Sequence, residues 1–274
     1  MKNIAFGQYY PAESPIHRLD PRAKVILTVL YIVCTFLCRN VLAFALLTAS
    51  TLVLLLLSRL PMKMVLRSLR PILFIIAFTS VINIFMTKGE HLLTPPTWKI
   101  AIYEEGIWNA VFMILRIMIL ITSTGVFLTY TTTPIALTDA LEQLLAPLKK
   151  LKIPVHDFAM MMTIALRFIP TLTEETEKIM NAQKARGANF STGSLLQRAK
   201  ALIPILIPLF VSAFNRAFEL AAAMECRCYH GDEGRTRMKV LKYCWVDFAA
   251  MLLVLGLGVA LFFLGRIGAV PGIR

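Results

Sequence analysis

The chain is divided into apolar runs of the length that crosses a bilayer, and this limits its fold more than any other feature. A transmembrane helix needs about 20 mostly apolar residues to cross roughly 30 Å of hydrocarbon. Five segments meet or approach that length: Val25 to Cys38, Val41 to Leu57, Pro71 to Met86, Ile107 to Tyr130 and Val246 to Leu264. Only Arg39 and Asn40 separate the first two, so they read as a tight helical hairpin. Pro71 suits a first helical turn, and the third span is expected to begin there. Gly256, Gly258 and Gly265 give the fifth span small surfaces for close packing against a neighbour.

Composition agrees. Hydrophobic residues are 57% and charged residues 16% of the 274, where soluble domains have roughly 45–50% and about 25%. An ordinary soluble globular protein is ruled out, and so is a disordered chain. Residues 1–22 lack the apolar core of a signal peptide, so no cleavable leader is expected. The 29 basic residues exceed the 16 acidic ones by 13, and their placement sets an orientation. The connection Arg59 to Arg70 holds Arg59, Lys63, Arg67 and Arg70 without an acid, whereas Lys88 to Glu105 holds Lys88 and Lys99 against Glu90, Glu104 and Glu105. The positive-inside tendency makes the first cytoplasmic and the second external. The N-terminus is then cytoplasmic and the C-terminus external. The expected fold is an all-α integral membrane protein with about five transmembrane helices and a cytoplasmic module of three long helices. Its parts are an N-terminal segment (1–24), four spans (25–130), the module (131–245), the fifth span (246–265) and a tail (266–274).

The module carries most of the positive charge, yet Phe158 to Leu166 and Ala201 to Phe214 are apolar. Runs this short more often lie in the interface or against protein than cross a bilayer. Three helices are expected, at about Ile135 to Leu151, Val155 to Ala185 and Ser194 to Arg227. In a competing reading, Ala201 to Phe214 belongs to a sixth span. The last two helices end alike: Ala182-Gln-Lys-Ala185-Arg186-Gly187 aligns with Ala223-Met-Glu-Cys226-Arg227-Cys228. Positions three apart share a helix face, and an Arg in the last turn gains from the negative end of the helix dipole. On a bland reading these arginines face water or lipid phosphate. On a functional one, each inserts its planar fork into an acidic groove of a soluble partner. The repeated context favours two similar docking sites.

In Ser14 to Lys24 (SPIHRLDPRAK), Ala165 to Leu172 (ALRFIPTL) and the two Arg-centred triplets, the chain resembles the transmembrane T component of energy-coupling factor transporters, from about Gly7 to the fifth span. That resemblance implies a scaffold whose coupling helices join two cytoplasmic ATP-binding cassette ATPases to a separate membrane protein, the S component, that captures a vitamin or metal ion. It assigns Ala185, Arg186 and Gly187 to one ATPase, and Cys226, Arg227 and Cys228 to the other. The second triplet departs from the Ala-Arg-Gly or Ala-Arg-Ser usual in the family. Met160, Met161, Met162, Ala165, Leu206, Phe210 and Phe214 are expected to form an adaptable apolar surface for the S component, with ordinary core or lipid contact as the alternative.

Other chemistry finds little support. No GxxxxGK[ST] is present, so ATP hydrolysis is expected in partner subunits and not here. Gly256-x-Gly258 lies in an apolar span and lacks the context of a dinucleotide fingerprint. The four histidines are scattered, without HExxH. Cys226-x-Cys228 with His230 falls short of four zinc ligands, and five cysteines make no disulfide scaffold. No cofactor or metal is expected, and no nucleic-acid partner either, because the positive-inside bias and inner-leaflet phospholipid account for the positive charge. Arg116 is costly inside a span and is expected to snorkel or to pair structurally. A dedicated cobalt or nickel permease, a self-contained secondary carrier and a membrane-bound enzyme are the rival functions.

Overall fold

A computed structural model describes residues 9–38, 40–87, 103–152, 154–188, 190, 194–231 and 240–267. Their regular structure is helical: α1 (Pro21–Leu37), α2 (Val41–Ser58), α3 (Met62–Met86), α4 (Glu104–Thr124), α5 (Pro134–Leu145), α6 (Val155–Ala185), α7 (Leu195–Cys226) and α8 (Trp245–Ile267). Gly125–Tyr130 extends α4 as a π-helix and Ala146–Leu151 extends α5 as a 3-10 helix. The chain packs as two units, Met1–Ala140 with Val240–Arg274, and Leu141–Lys239.

In the first unit α1 is central. Ala23, Leu27, Tyr31, Cys34 and Cys38 recur at helical spacing and are buried. Tyr31 lies beside Phe127 of the π-helix, and its hydroxyl meets Ser50 Oγ and Thr51 Oγ1 of α2, each at 2.7 Å. Buried Thr28, Thr35 and Thr51 each donate to the carbonyl one turn back. Polar groups inside and large apolar side chains outside suit a bundle solvated by lipid, where apolar burial no longer drives helices together.

The α1–α8 pair is parallel. Asp20 meets Asp247 at one end, Cys34 lies against Val254 midway, and the Asn40 Nδ2 donates to the Leu264 carbonyl at 2.8 Å beyond the other end of α1. Gly258 permits this approach: a Cβ there would sit 3.1 Å from Cys34 Sγ. Gly265 faces the Leu37 carbonyl, whereas among the described residues nothing lies within 4 Å of a Cβ built at Gly256.

Among the described residues, five helical segments are long and apolar enough to cross a membrane: Val41–Ser58, Met62–Met86, Glu104–Tyr130, Leu196–Cys226 and Trp245–Arg266. The chain is a multi-pass membrane protein. The set differs in one member from the sequence reading. At 17 residues, α1 spans only about 26 Å, and Leu196–Cys226, which contains the stretch read as a competing sixth span, qualifies by length and composition. Two boundaries also move. The third helix begins at Met62 and runs through Pro71, because Met62 to Arg70 contains no residue that breaks a helix. The helix expected over Ile135 to Leu151 tightens to 3-10 geometry at Ala146, where Pro147 removes a backbone donor.

Candidate functional site

The two Arg-centred tips fold alike. At the end of α6, Gly187 N–H donates to the Lys184 carbonyl and Ala188 N–H to the Gln183 carbonyl, both at 3.0 Å. At the end of α7, Cys228 N–H donates to the Glu225 carbonyl at 2.9 Å and Tyr229 N–H to the Met224 carbonyl at 3.1 Å. Each pair of bonds is a complete Schellman motif, which closes a helix through a residue in the left-handed conformation. Those residues are Gly187 (φ 87°) and Cys228 (φ 54°), and the C-cap just before each is Arg186 or Arg227. Glycine adopts a positive φ freely; cysteine does so at a cost. The shared small-x-x-small-Arg-small pattern therefore encodes one backbone shape, built twice.

Ala185, Arg186, Gly187, Cys226, Arg227 and Cys228 are all exposed. Among the described residues neither guanidinium has an ion-pair partner. Cys226 and Cys228 are free thiols, and no three His, Cys, Asp or Glu side chains among the described residues cluster as a metal site would.

The packing of α6 on α7 fixes the spacing of the tips. Tyr229 OH reaches Met160 Sδ (3.2 Å), Ser212 Oγ donates to Glu175 Oε1 (2.6 Å), Arg216 Nη2 donates to Glu175 Oε2 (3.0 Å), and Gln183 Nε2 donates to the Pro204 carbonyl (3.4 Å). Residue numbers fall on α7 as they rise on α6, so the pair is an antiparallel hairpin. Arg186 and Arg227 stand at its opposite ends, roughly 35 Å apart at 1.5 Å per residue over the 23 residues between Met160 and Gln183. The Ser212 hydroxyl, and after it Arg216, hold the Glu175 carboxyl below the usual carboxylate range. Below this polar lock a groove of about 310 Å³ is lined by Met160, Ile164, Phe168 and, from α7, Ala217, Ala221 and Met224.

The residues of the expected apolar surface divide. Met160 turns into the α6–α7 groove, whereas Met161, Met162, Ala165, Leu206, Phe210 and Phe214 are exposed. Phe210, Phe214 and Phe218 form a ladder along α7 with centroid spacings of 4.6 and 6.5 Å. Sequence reasoning passed over the Glu175–Ser212–Arg216 lock, which joins residues 37 and 41 apart and leaves no local pattern.

The N-terminal motif builds a second polar cluster, in the first unit. Asp20 caps α1 by accepting from Arg22 N–H, and Arg22 Nη2 bonds Asp20 Oδ2 (3.1 Å) and the Leu241 carbonyl (2.8 Å). The Arg22 guanidinium lies 4.3 Å from the Tyr243 ring centre, and its hydrogen bond to Asp20 raises its pKa. Asp247 Oδ1 accepts from Asp20 N–H (2.9 Å) and Oδ2 from Cys244 N–H (2.7 Å). Lys24 Nζ donates to the Thr131 carbonyl (2.8 Å) and the His17 carbonyl (3.3 Å). Burial lowers the Lys24 pKa to about 8 against the opposing pull of Asp247 and Asp20. The motif thus clasps together the starts of α1 and α8 and the end of the π-helix. Arg116 takes a structural place: Nη2 donates to the Cys38 carbonyl at the end of α1 (3.2 Å), between the rings of Phe36 and Phe44.

A bundle of long apolar helices, together with a hairpin of two long helices closed by matching cationic caps, defines an all-α multi-pass membrane protein. Residues 12–238 match the family described as Cobalt transport protein. The chain is 54% identical over 248 residues to the energy-coupling factor transporter transmembrane protein EcfT of Ruminiclostridium cellulolyticum, covering 90% of this chain and 91% of the relative. It is 49% identical over 270 residues to that of Clostridium kluyveri (97% and 98% covered) and 47% over 265 to that of Bacillus subtilis (96% and 99%). The chain belongs to this family, as a transmembrane component of energy-coupling factor transporters.

Proposed function

We propose that this protein couples ATP-driven motion of two cytoplasmic ABC-type ATPases to a membrane-embedded S component that captures a vitamin or other micronutrient. One ATPase docks at Arg186 with Ala185 and Gly187, the other at Arg227 with Cys226 and Cys228. The supporting observation is the pair of matching caps: two exposed arginines on the same backbone motif at opposite ends of one hairpin. Roughly 35 Å is too far for one pocket and suits two separate protein partners. In this reading the N-terminus and both tips of the α6–α7 hairpin are cytoplasmic, so α7, although long and apolar enough to cross, lies along the inner leaflet. Closure of the ATPases on ATP pulls the two tips together and changes the helix crossing angle, and the Met161, Met162, Ala165, Leu206, Phe210 and Phe214 surface passes that rotation to the S component. This chain supplies no catalytic group, and the substrate is chosen by the S component. The family description favours a second reading, a dedicated cobalt or nickel system. Several different membrane companions on the purified complex support the shared form; a single fixed set supports the metal-ion form.

Removing one partner of an interfacial charge pair typically costs 2–5 kcal/mol. Arg186→Ala and Arg227→Ala are each expected to weaken attachment of one ATPase, and the double variant should lose both in a pull-down from native membranes. A double variant that keeps both at full stoichiometry refutes the assignment.

A further inference from the structure

The first part of α3 presents a cationic stripe that continues into an apolar one. Lys63, Arg67 and Arg70 fall at i, i+4 and i+7 on one face, and Leu66, Leu73 and Ala77 carry that face on along the helix. Helix α3 packs on α4 and buries only Val65 and Ile76 of its 25 residues. Between the two helices lies a groove of about 670 Å³, with Lys63, Arg67 and Arg70 at one end and Leu73, Ala77 and the α4 residues Ile114 and Met118 toward the other. A second hollow of about 420 Å³ shares Lys63 and Arg67 with it and adds Pro61 and Ser68, enlarging the polar end. Among the described residues none of the three cations is in an ion pair.

We propose that this groove binds an anionic phospholipid, its phosphate held by Lys63, Arg67 and Arg70 and one acyl chain laid along Leu66, Leu73, Ala77, Ile114 and Met118. The argument is complementarity of charge and depth. The cations occupy about 10 Å of helix and the apolar floor about 10 Å more, the order in which a headgroup and the upper part of an acyl chain follow one another into a leaflet. Three cations without an acid select an anionic headgroup over a zwitterionic one. Basic residues in a groove between membrane helices hold such headgroups elsewhere. The site is independent of the docking tips on α6 and α7.

The test is native mass spectrometry of the full chain in detergent, titrated with dioleoylphosphatidylglycerol or dioleoylphosphatidylcholine. Each surface cation contributes roughly fivefold in affinity, so the anionic lipid should bind on the order of a hundredfold tighter. The variant K63Q/R67Q/R70Q should reduce it to the level of phosphatidylcholine, and Met118→Trp, which fills the apolar floor, should weaken both lipids. Should the triple variant fail to fold, Arg67→Gln alone is expected to lose roughly fivefold. The control K150Q/K152Q should bind like the wild type. Equal affinity for the two lipids, or a folded triple variant with undiminished phosphatidylglycerol binding, overturns the proposal. So does full displacement of the lipid by excess inorganic phosphate, which would make the site a simple anion site. Loss of the lipid when the chain is assembled with its partner subunits also overturns it, giving the groove to a protein.

Discussion

Replacing Asp247 with Ala should be among the most damaging single changes in the first unit. The carboxylate is 1% exposed and accepts two backbone hydrogen bonds, from Asp20 across the α1–α8 interface and from Cys244 at the start of its own helix. Deleting it leaves two donors unsatisfied, at about 1–3 kcal/mol each. It also removes an anion whose field favours the charged form of Lys24. The two donors alone come to about 2–6 kcal/mol, so the expected loss is on the order of 4 kcal/mol. At about 2–4 °C per kcal/mol for a chain near this size, the melting temperature should fall by roughly 8–16 °C. The assay is thermal unfolding of the detergent-solubilised full chain, read as the monodisperse fraction left after heating. Asp247→Asn keeps one acceptor and should lose about half as much. Lys24→Met in the Asp247→Asn background should cost less than in the wild type, a coupling that a double-mutant cycle measures. If Asp247→Ala melts within about 2 °C of wild type, the clasp does not hold these helices together and the reasoning fails.

Two further predictions address pH and the tips. Because the folded Lys24 pKa lies near 8, below its ordinary 10.5, the unfolded chain binds the extra proton between those values. Stability therefore rises with pH across that window, by on the order of 3 kcal/mol; below pH 8 the penalty of the buried charge is fully present. Lys24→Met should flatten the rise, and a profile identical to wild type would exclude Lys24 as its source. At the caps, Gly187→Cys should cost about 1 kcal/mol through its positive φ, and Cys228→Gly should return up to about as much, less the added freedom of the unfolded chain. Amide hydrogen exchange at Ala188 and Tyr229 reads the two changes, and exchange rates that do not move in opposite directions contradict the shared-motif account.

What the sequence made legible was local or periodic. The apolar runs of α2, α4 and α8 announce themselves by length, and the duplicated tips by spacing, because a helix cap is decided within six residues of chain. The clasp was not legible as a clasp: Asp20 and Asp247 lie 227 residues apart, and no periodicity links them. Arg116 shows the same limit from the other side. Expected to snorkel or to pair, it finds its partner in the Cys38 carbonyl. That carbonyl carries the partial negative charge of a helix C-terminus, a property of backbone geometry that side-chain identities do not display. The separation of the two arginines proposed to dock, by contrast, follows from the sequence alone. Helices of 31 and 32 residues joined by the short connection from Arg186 to Ser194 must run antiparallel if they pack. Two C-terminal caps on antiparallel helices necessarily lie at opposite ends. Equivalent tips then cannot share one binding pocket, so the docking proposed for them needs two partners or two copies of one.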